Sequence, residues 1–177
     1  MDEATERYFR GHWAMRRIIE NVAEGVIGEF WGEARFDAVP PPAEEGMLAC
    51  REEGVLRFRG HDYHAERGSL WRFPGPGEVE VQYTDGRPFH AFPTKDPVAE
   101  HLCGEDLYRV RYDFGPSAWM SVWEVQGPDK DYQMMTEYRR MKEKGENPFG
   151  GSVPVAAGMH GRGEAMIGGS LLRRPRR

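Results

Sequence analysis

Asp106-Leu107-Tyr108-Arg109-Val110-Arg111-Tyr112-Asp113-Phe114 alternates without a break. In an extended chain Tyr108, Val110, Tyr112 and Phe114 share one face, and Arg109, Arg111 and Asp113 share the other. This period of two marks a strand with one side on a core and the other in water. The following segment repeats it through Trp119, Ser121, Trp123 and Val125, and the preceding one through Val79, Val81 and Tyr83. Phe30, Gly32, Ala34 and Phe36 form another such face near the N-terminus. Turn signals separate the runs: Pro40-Pro41-Pro42, Glu53-Gly54, Pro74-Gly75-Pro76-Gly77, Asp85-Gly86, Phe114-Gly115-Pro116 and Gly127-Pro128-Asp129. Asp85-Gly86 is a hairpin signal, because both residues tolerate positive φ.

The pattern predicts about eight or nine short strands joined in sequence order, with no long helices between them, which argues against a parallel sheet. An antiparallel up-and-down β-barrel fits best, since closure removes exposed sheet edges. A two-sheet sandwich is the alternative. Thr5 to Asn21 reads as a short helical turn followed by a strand. Residues 1–142 are expected to form the barrel domain. Residues 143–177 carry eight glycines and six Lys/Arg against three Glu, and read as an irregular, Gly-rich basic extension. That extension could drape over the surface or dock on a protein partner or a second copy of the chain.

Composition narrows the class. The 177 residues are 39% hydrophobic, 12% aromatic and 30% charged, with 22 Gly and 13 Pro. That is a globular, turn-rich chain rather than a disordered one. The net charge of −5 gives no global argument for nucleic acid. There is no apolar run of 18 residues for a membrane helix, and the acidic N-terminus lacks a signal-peptide core. Two cysteines, Cys50 and Cys103, are too few for a disulfide framework, so both are expected reduced in the cytoplasm.

The chemistry concentrates in a few side chains. In Asp85-Gly86-Arg87-Pro88-Phe89-His90, Pro88 and His90 would share an inward face, with Phe89 and Ala91 opposite. Asp106 falls on the apolar face of its strand and needs a partner, because an unpaired buried carboxylate is costly. His90, His101, Arg17, Arg67 and Lys130 are the partners on offer. A His–Asp pair could act as general acid and base, which makes His90, His101 and Asp106 the catalytic candidates if the protein is an enzyme. Lys130 would sit at the barrel mouth, suited to an anionic group. Trp71, Tyr108, Trp123 and Tyr132 could line the lumen beside Arg17, Arg67 and His90. His61-Asp62-Tyr63-His64 spaces its histidines to opposite strand faces, so no metal site is expected there. No dinucleotide or phosphate-loop fingerprint occurs, and no cofactor is expected.

Gly11-His12-Trp13 resembles the G-x-W element that opens lipocalin-type (calycin) barrels. More specifically, five pieces in the right order resemble a lipocalin-like domain family of unknown function found in bacteria and some eukaryotes. They are Trp13-x-x-x-Arg17-x-Ile19, Gly32-x-Ala34-x-Phe36, Asp85-Gly86-Arg87-x-Phe89-His90, His101-x-Cys103-x-x-Asp106-x-Tyr108 and Trp123-x-Val125-x-Gly127-Pro128-x-Lys130-Asp131-Tyr132. Together they span residues 9 to about 140. The resemblance implies a barrel whose Trp13 closes one end beneath a basic residue of the last strand, Arg139 or Arg140. It implies no activity. The chain departs from the family pattern in its tail and in the Pro-rich loop at 40–42.

Three functions remain open from the residues: binding a small, partly apolar, anionic ligand in the lumen; cofactor-independent catalysis (isomerase, cyclase or hydrolase) by a His/Asp pair; or a structural role through the C-terminal extension.

Overall fold

Alternation predicts the strands well, and the turns less well. A computed structural model describes residues 6–43, 45–142 and 146–150, and the backbone of 164–167 and 170–173. A single helical turn, α1 (Glu6–Phe9), leads into ten barrel strands: β1 (Gly11–Asn21), β2 (Gly25–Ala38), β3 (Leu48–Phe58), β4 (His61–Arg72), β5 (Glu78–Gln82), β6 (Pro88–Pro93), β7 (Val98–Cys103), β8 (Asp106–Phe114), β9 (Ala118–Gly127) and β10 (Lys130–Arg140). Neighbours pair antiparallel in sequence order, except across β6 and β7, which share no ladder. β1 pairs β10, with Trp13 opposite Arg140 and Asn21 opposite Tyr132, so the sheet curls round until only the β6/β7 gap separates its edges. The architecture is a nearly closed up-and-down barrel with one seam, and closure excludes the sandwich. Among the described residues no helix is long and apolar enough to cross a membrane.

The count is ten rather than eight or nine because reversals at 22–24, 59–60, 94–97 and 104–105 lie outside the turn signals above, while Glu53-Gly54, one of those signals, is no turn. Gly54 lies in the middle of β3, opposite Gly32 of β2. The two backbones approach so closely under the Phe30 ring that a Cβ on Gly54 would collide with the Trp31 carbonyl. This glycine allows close packing, not reversal. The reversal comes five residues later at Arg59-Gly60, both at positive φ (48° and 79°). A register shift at Val81/Gln82 opposite the start of β6 buries both Phe89 and His90 and leaves Pro88 exposed. The expected pairing of Pro88 with His90 on one face therefore fails: the irregularity breaks the alternation.

The irregular tail is also corrected in part. β11 (Glu164–Ile167) and β12 (Ser170–Arg173) form a hairpin, and β12 pairs the outer edge of β4 through Leu171↔Glu66 to Arg173↔His64. The overlooked signal was two short apolar runs flanking Gly168-Gly169. Of the rest of the tail only residues 146–150 are described.

The two barrel ends differ. At one end α1 folds inward and an aromatic plug fills the barrel: Phe9, Trp13, Phe36, Trp71, Phe92 and Trp119 are all buried. Trp119 and Tyr138 stack at 3.6 Å. The Trp13 indole donates to the Phe9 carbonyl at 2.7 Å. Arg140, not Arg139, lies over the Trp13 ring at 3.9 Å and donates to the carbonyls of Arg10 and Tyr8. It thereby satisfies carbonyls at the end of α1 that have no helical partner. The opposite end carries the tight hairpins, including Arg59-Gly60, Asp85-Gly86 and Gly127-Pro128-Asp129.

Candidate functional site

Above the plug the lumen turns polar. Arg17 of β1 is inward by parity, between Met15 and Ile19. Its Nε donates to the Thr136 hydroxyl at 2.7 Å and a terminal nitrogen donates to Glu52 at 2.9 Å. Tyr138 donates to the other Glu52 oxygen at 2.9 Å. Arg17, Glu52 and Thr136 are all buried. Burial pushes the Glu52 carboxyl up, but Arg17 and Arg67, with the hydrogen bonds from Arg17 and Tyr138, bring it below its ordinary value. Burial also raises the Tyr138 and Cys50 groups, so both stay protonated.

One layer further sits Arg67. It shares the inward face of β4 with Tyr63, Ala65 and Trp71. Among the described residues it has no hydrogen-bond or ion-pair partner; its guanidinium lies over the Phe89 ring at 5.5 Å. Phe89 stacks on Trp123 at 5.4 Å with the rings nearly parallel. His90 stands edge-on to Trp123 at 5.1 Å, and its Nε2 lies 2.7 Å from the Tyr112 hydroxyl. Burial, then the charges of Arg67 and His101, hold the His90 imidazole neutral, with its pKa lowered to about 3. Burial likewise raises the Tyr112 phenol above its ordinary value.

At the hairpin end Lys130 donates to Asp106 at 2.5 Å and to the Tyr108 hydroxyl at 3.1 Å. Those two hydrogen bonds raise the ammonium above its ordinary pKa. Asp106 therefore finds Lys130, one of the partners its sequence position offered, and the expected His–Asp pair does not form. His90 bonds Tyr112 instead. His101 is half-buried across the seam, its ring 5.0 Å from Phe89 and 6.2 Å from Tyr108.

The sequence candidates thus separate. Arg67, His90 and Trp123 are brought together inside the barrel. Lys130, Asp106, Tyr108 and His101 form the mouth. Tyr132 is half-buried at the start of β10. Arg17 is tied to Glu52, and Trp71 belongs to the plug, packed 5.0 Å from Phe9 with its indole donating to Ser69. Among the described residues no three His, Cys, Asp or Glu side chains gather as a metal ion requires. Glu52, Tyr112 and Tyr138 were missed as polar partners. Parity alone could have flagged Glu52, which shares its face with Leu48, Cys50 and Leu56.

The lumen's charges do not cancel. Arg17 and Arg67 share the one buried carboxylate Glu52, His90 is neutral and Lys130 is matched by Asp106, which among the described residues leaves one positive charge in excess, with Arg67 the guanidinium that has no ion-pair partner. A groove of about 530 Å³ also lies on the barrel's outer face, between Trp31 and Phe149. Its charged rim, Arg16, Arg35, Arg51 and Glu53, stands in solvent, where such groups act weakly.

Residues 9–140 match the model of a family of unknown function (DUF6314), and the chain belongs to that family. No curated protein matches the sequence. Among solved structures, the S-type phycobiliprotein lyase of Guillardia theta superposes with a TM-score of 0.58 at 11% identity, over 78% of this chain and 92% of that one. Family membership comes from the sequence; the lipocalin-like barrel comes from the structure.

Proposed function

We propose that this member of the family binds a small, partly apolar, anionic ligand inside the barrel. Arg67 carries the reading: an inward guanidinium with no hydrogen-bond or ion-pair partner among the described residues, the second of two arginines sharing the single buried carboxylate of Glu52. A charge of that kind in a partly desolvated lumen is stabilised by a complementary anion. Phe89, Trp123 and Tyr108 supply apolar walls, with polar tips on Trp123 and Tyr108, the usual composition of a small-molecule site. The similar fold of a phycobiliprotein lyase is consistent with a barrel that handles small ligands, but at 11% identity it names none. A neutral His90 held by a phenol, and an Asp106 held by Lys130, support binding over a proton-shuttling His/Asp enzyme.

The test is native mass spectrometry of protein purified without added ligand, beside Arg67→Gln. The expected result is a co-purified small anion that the variant loses. A bound mass that persists in Arg67→Gln, or no bound mass in either protein, overturns the proposal.

A further inference from the structure

Among the described residues two buried ring nitrogens inside the barrel lack a hydrogen-bond partner: the Trp119 indole in the plug, enclosed by other rings, and one nitrogen of His90, beside the polar lumen. The Tyr112 hydroxyl and His90 Nε2 are 2.7 Å apart and both residues are buried. The hydroxyl has no other partner among the described residues, so its hydrogen is satisfied only by donation to Nε2. A neutral ring that accepts at Nε2 carries its hydrogen on Nδ1. That Nδ1 is buried and without a hydrogen-bond partner among the described residues, on a residue only 8% exposed. Buried donors in folded proteins are nearly always paired, so an orphan points to a missing acceptor. Arg67 comes to the same place: its guanidinium covers Phe89, the residue next to His90, and its charge acts on the imidazole.

We propose that His90 Nδ1–H and the Arg67 guanidinium together seat a single carboxylate. This assignment rests on the ligand-binding reading above and adds to it the ligand's charged group and a second donor. The charge count selects the class. One excess positive charge calls for one negative charge, whereas a dianion would leave an unmatched charge inside the barrel. A guanidinium fork grips two carboxylate oxygens, and the imidazole N–H reaches a remaining lone pair. The ligand is a monocarboxylate whose apolar body rests against Phe89 and Trp123.

Isothermal titration of the full chain with 2-naphthoate, 2-naphthamide and 2-naphthyl phosphate tests this, since the three share one body and differ in charge. Naphthoate should bind at least roughly tenfold tighter than either of the others, as expected for a charge-assisted hydrogen bond. His90→Phe should weaken naphthoate about tenfold and change naphthamide by less than about twofold. His90→Asn, whose amide N–H falls near the position of Nδ1, should recover part of the loss. Long-range ¹H–¹⁵N spectra of the wild-type protein should show His90 as the Nδ1–H tautomer, a readout that needs no variant to fold. The Nε2–H tautomer overturns the assignment. So does naphthoate affinity that falls in Arg67→Gln but stays unchanged in His90→Phe, and in that case the anion site itself survives. Naphthoate that binds neither variant nor wild type, or binds Arg67→Gln as tightly as wild type, overturns the site as well.

Discussion

Arg17 on β1 reaches across β2 to Glu52 on β3: its guanidinium lies 2.9 Å from the carboxylate, with both side chains about nine-tenths buried. On the way it passes over the Phe30 ring at 5.4 Å. The pair joins strands that share no ladder, and Thr136 and Tyr138 extend it to β10. Breaking it from one side leaves a buried charge. Glu52→Ala should therefore cost about 3–5 kcal/mol in urea unfolding, while Arg17→Met combined with Glu52→Leu should cost much less. Equal losses in the single and double variants would show that the ion pair itself, rather than the orphaned charge, dominates.

Acid should weaken the fold in two stages. The folded pKa of His90 is lowered to about 3, below its ordinary 6.5. Between those values the unfolded chain binds a proton that the folded chain refuses. The stability from neutral His90 is thus complete above about pH 6.5 and is lost as the pH falls toward 3, with a limiting slope of about 1.4 kcal/mol per pH unit. Glu52, also lowered, adds a second loss below its ordinary value of 4.5. Urea midpoints measured from pH 7 to pH 5 should fall in the wild type, and the slope should flatten in His90→Gln. An unchanged slope in the variant would assign the loss to another group.

Gly32 and Gly54 face each other across β2 and β3 with no room for a Cβ on either. A Cβ on Gly32 would meet the Glu53 carbonyl and come within 2.6 Å of the Phe30 ring. Gly32→Ala should destabilise by about 3 kcal/mol, the upper range for an overpacked core. The added Phe30→Leu change should recover part of the loss by shortening the ring, read from the same unfolding curves. No recovery would place the clash on the backbone alone.

The seam between β6 and β7 is bridged by rings instead of a backbone ladder: His101 of β7 contacts Phe89 of β6. Backbone amides on the facing edges of β6 and β7 should exchange with deuterium faster than those of β1, β2 and β3. His101→Ala should speed that exchange further without changing the rate in β1–β3. Slow, uniform exchange around the barrel would contradict an open seam.

Much of this was legible in the chain itself. Uninterrupted alternation, as in Asp106–Phe114, fixed each side chain's face, because successive residues of a strand point oppositely whatever surrounds them. Trp13 and a last-strand arginine were legible from the family resemblance. Where a local irregularity intervened, the reading slipped. Glycine at Glu53-Gly54 has the same composition whether it turns the chain or admits a neighbouring backbone. The register shift at Val81/Gln82 leaves no mark in the order of residues, yet it decides that Phe89 and His90 are buried together.

Sequence by itself thus determined an all-β antiparallel architecture, the inward parity of Asp106, Tyr108, Val110 and Tyr112, and the excess of turns, all of them consequences of short-range stereochemistry. Tertiary structure decided which charges meet. Arg17 found Glu52, 35 positions away; Asp106 found Lys130 in place of a histidine; and His90 found Tyr112. Arg67 was left without an ion-pair partner among the described residues, facing a carboxylate already held by Arg17. Charge pairing depends on distances across the barrel, and those are set by closure and by backbone irregularities at particular positions, neither of which a pattern of alternation contains.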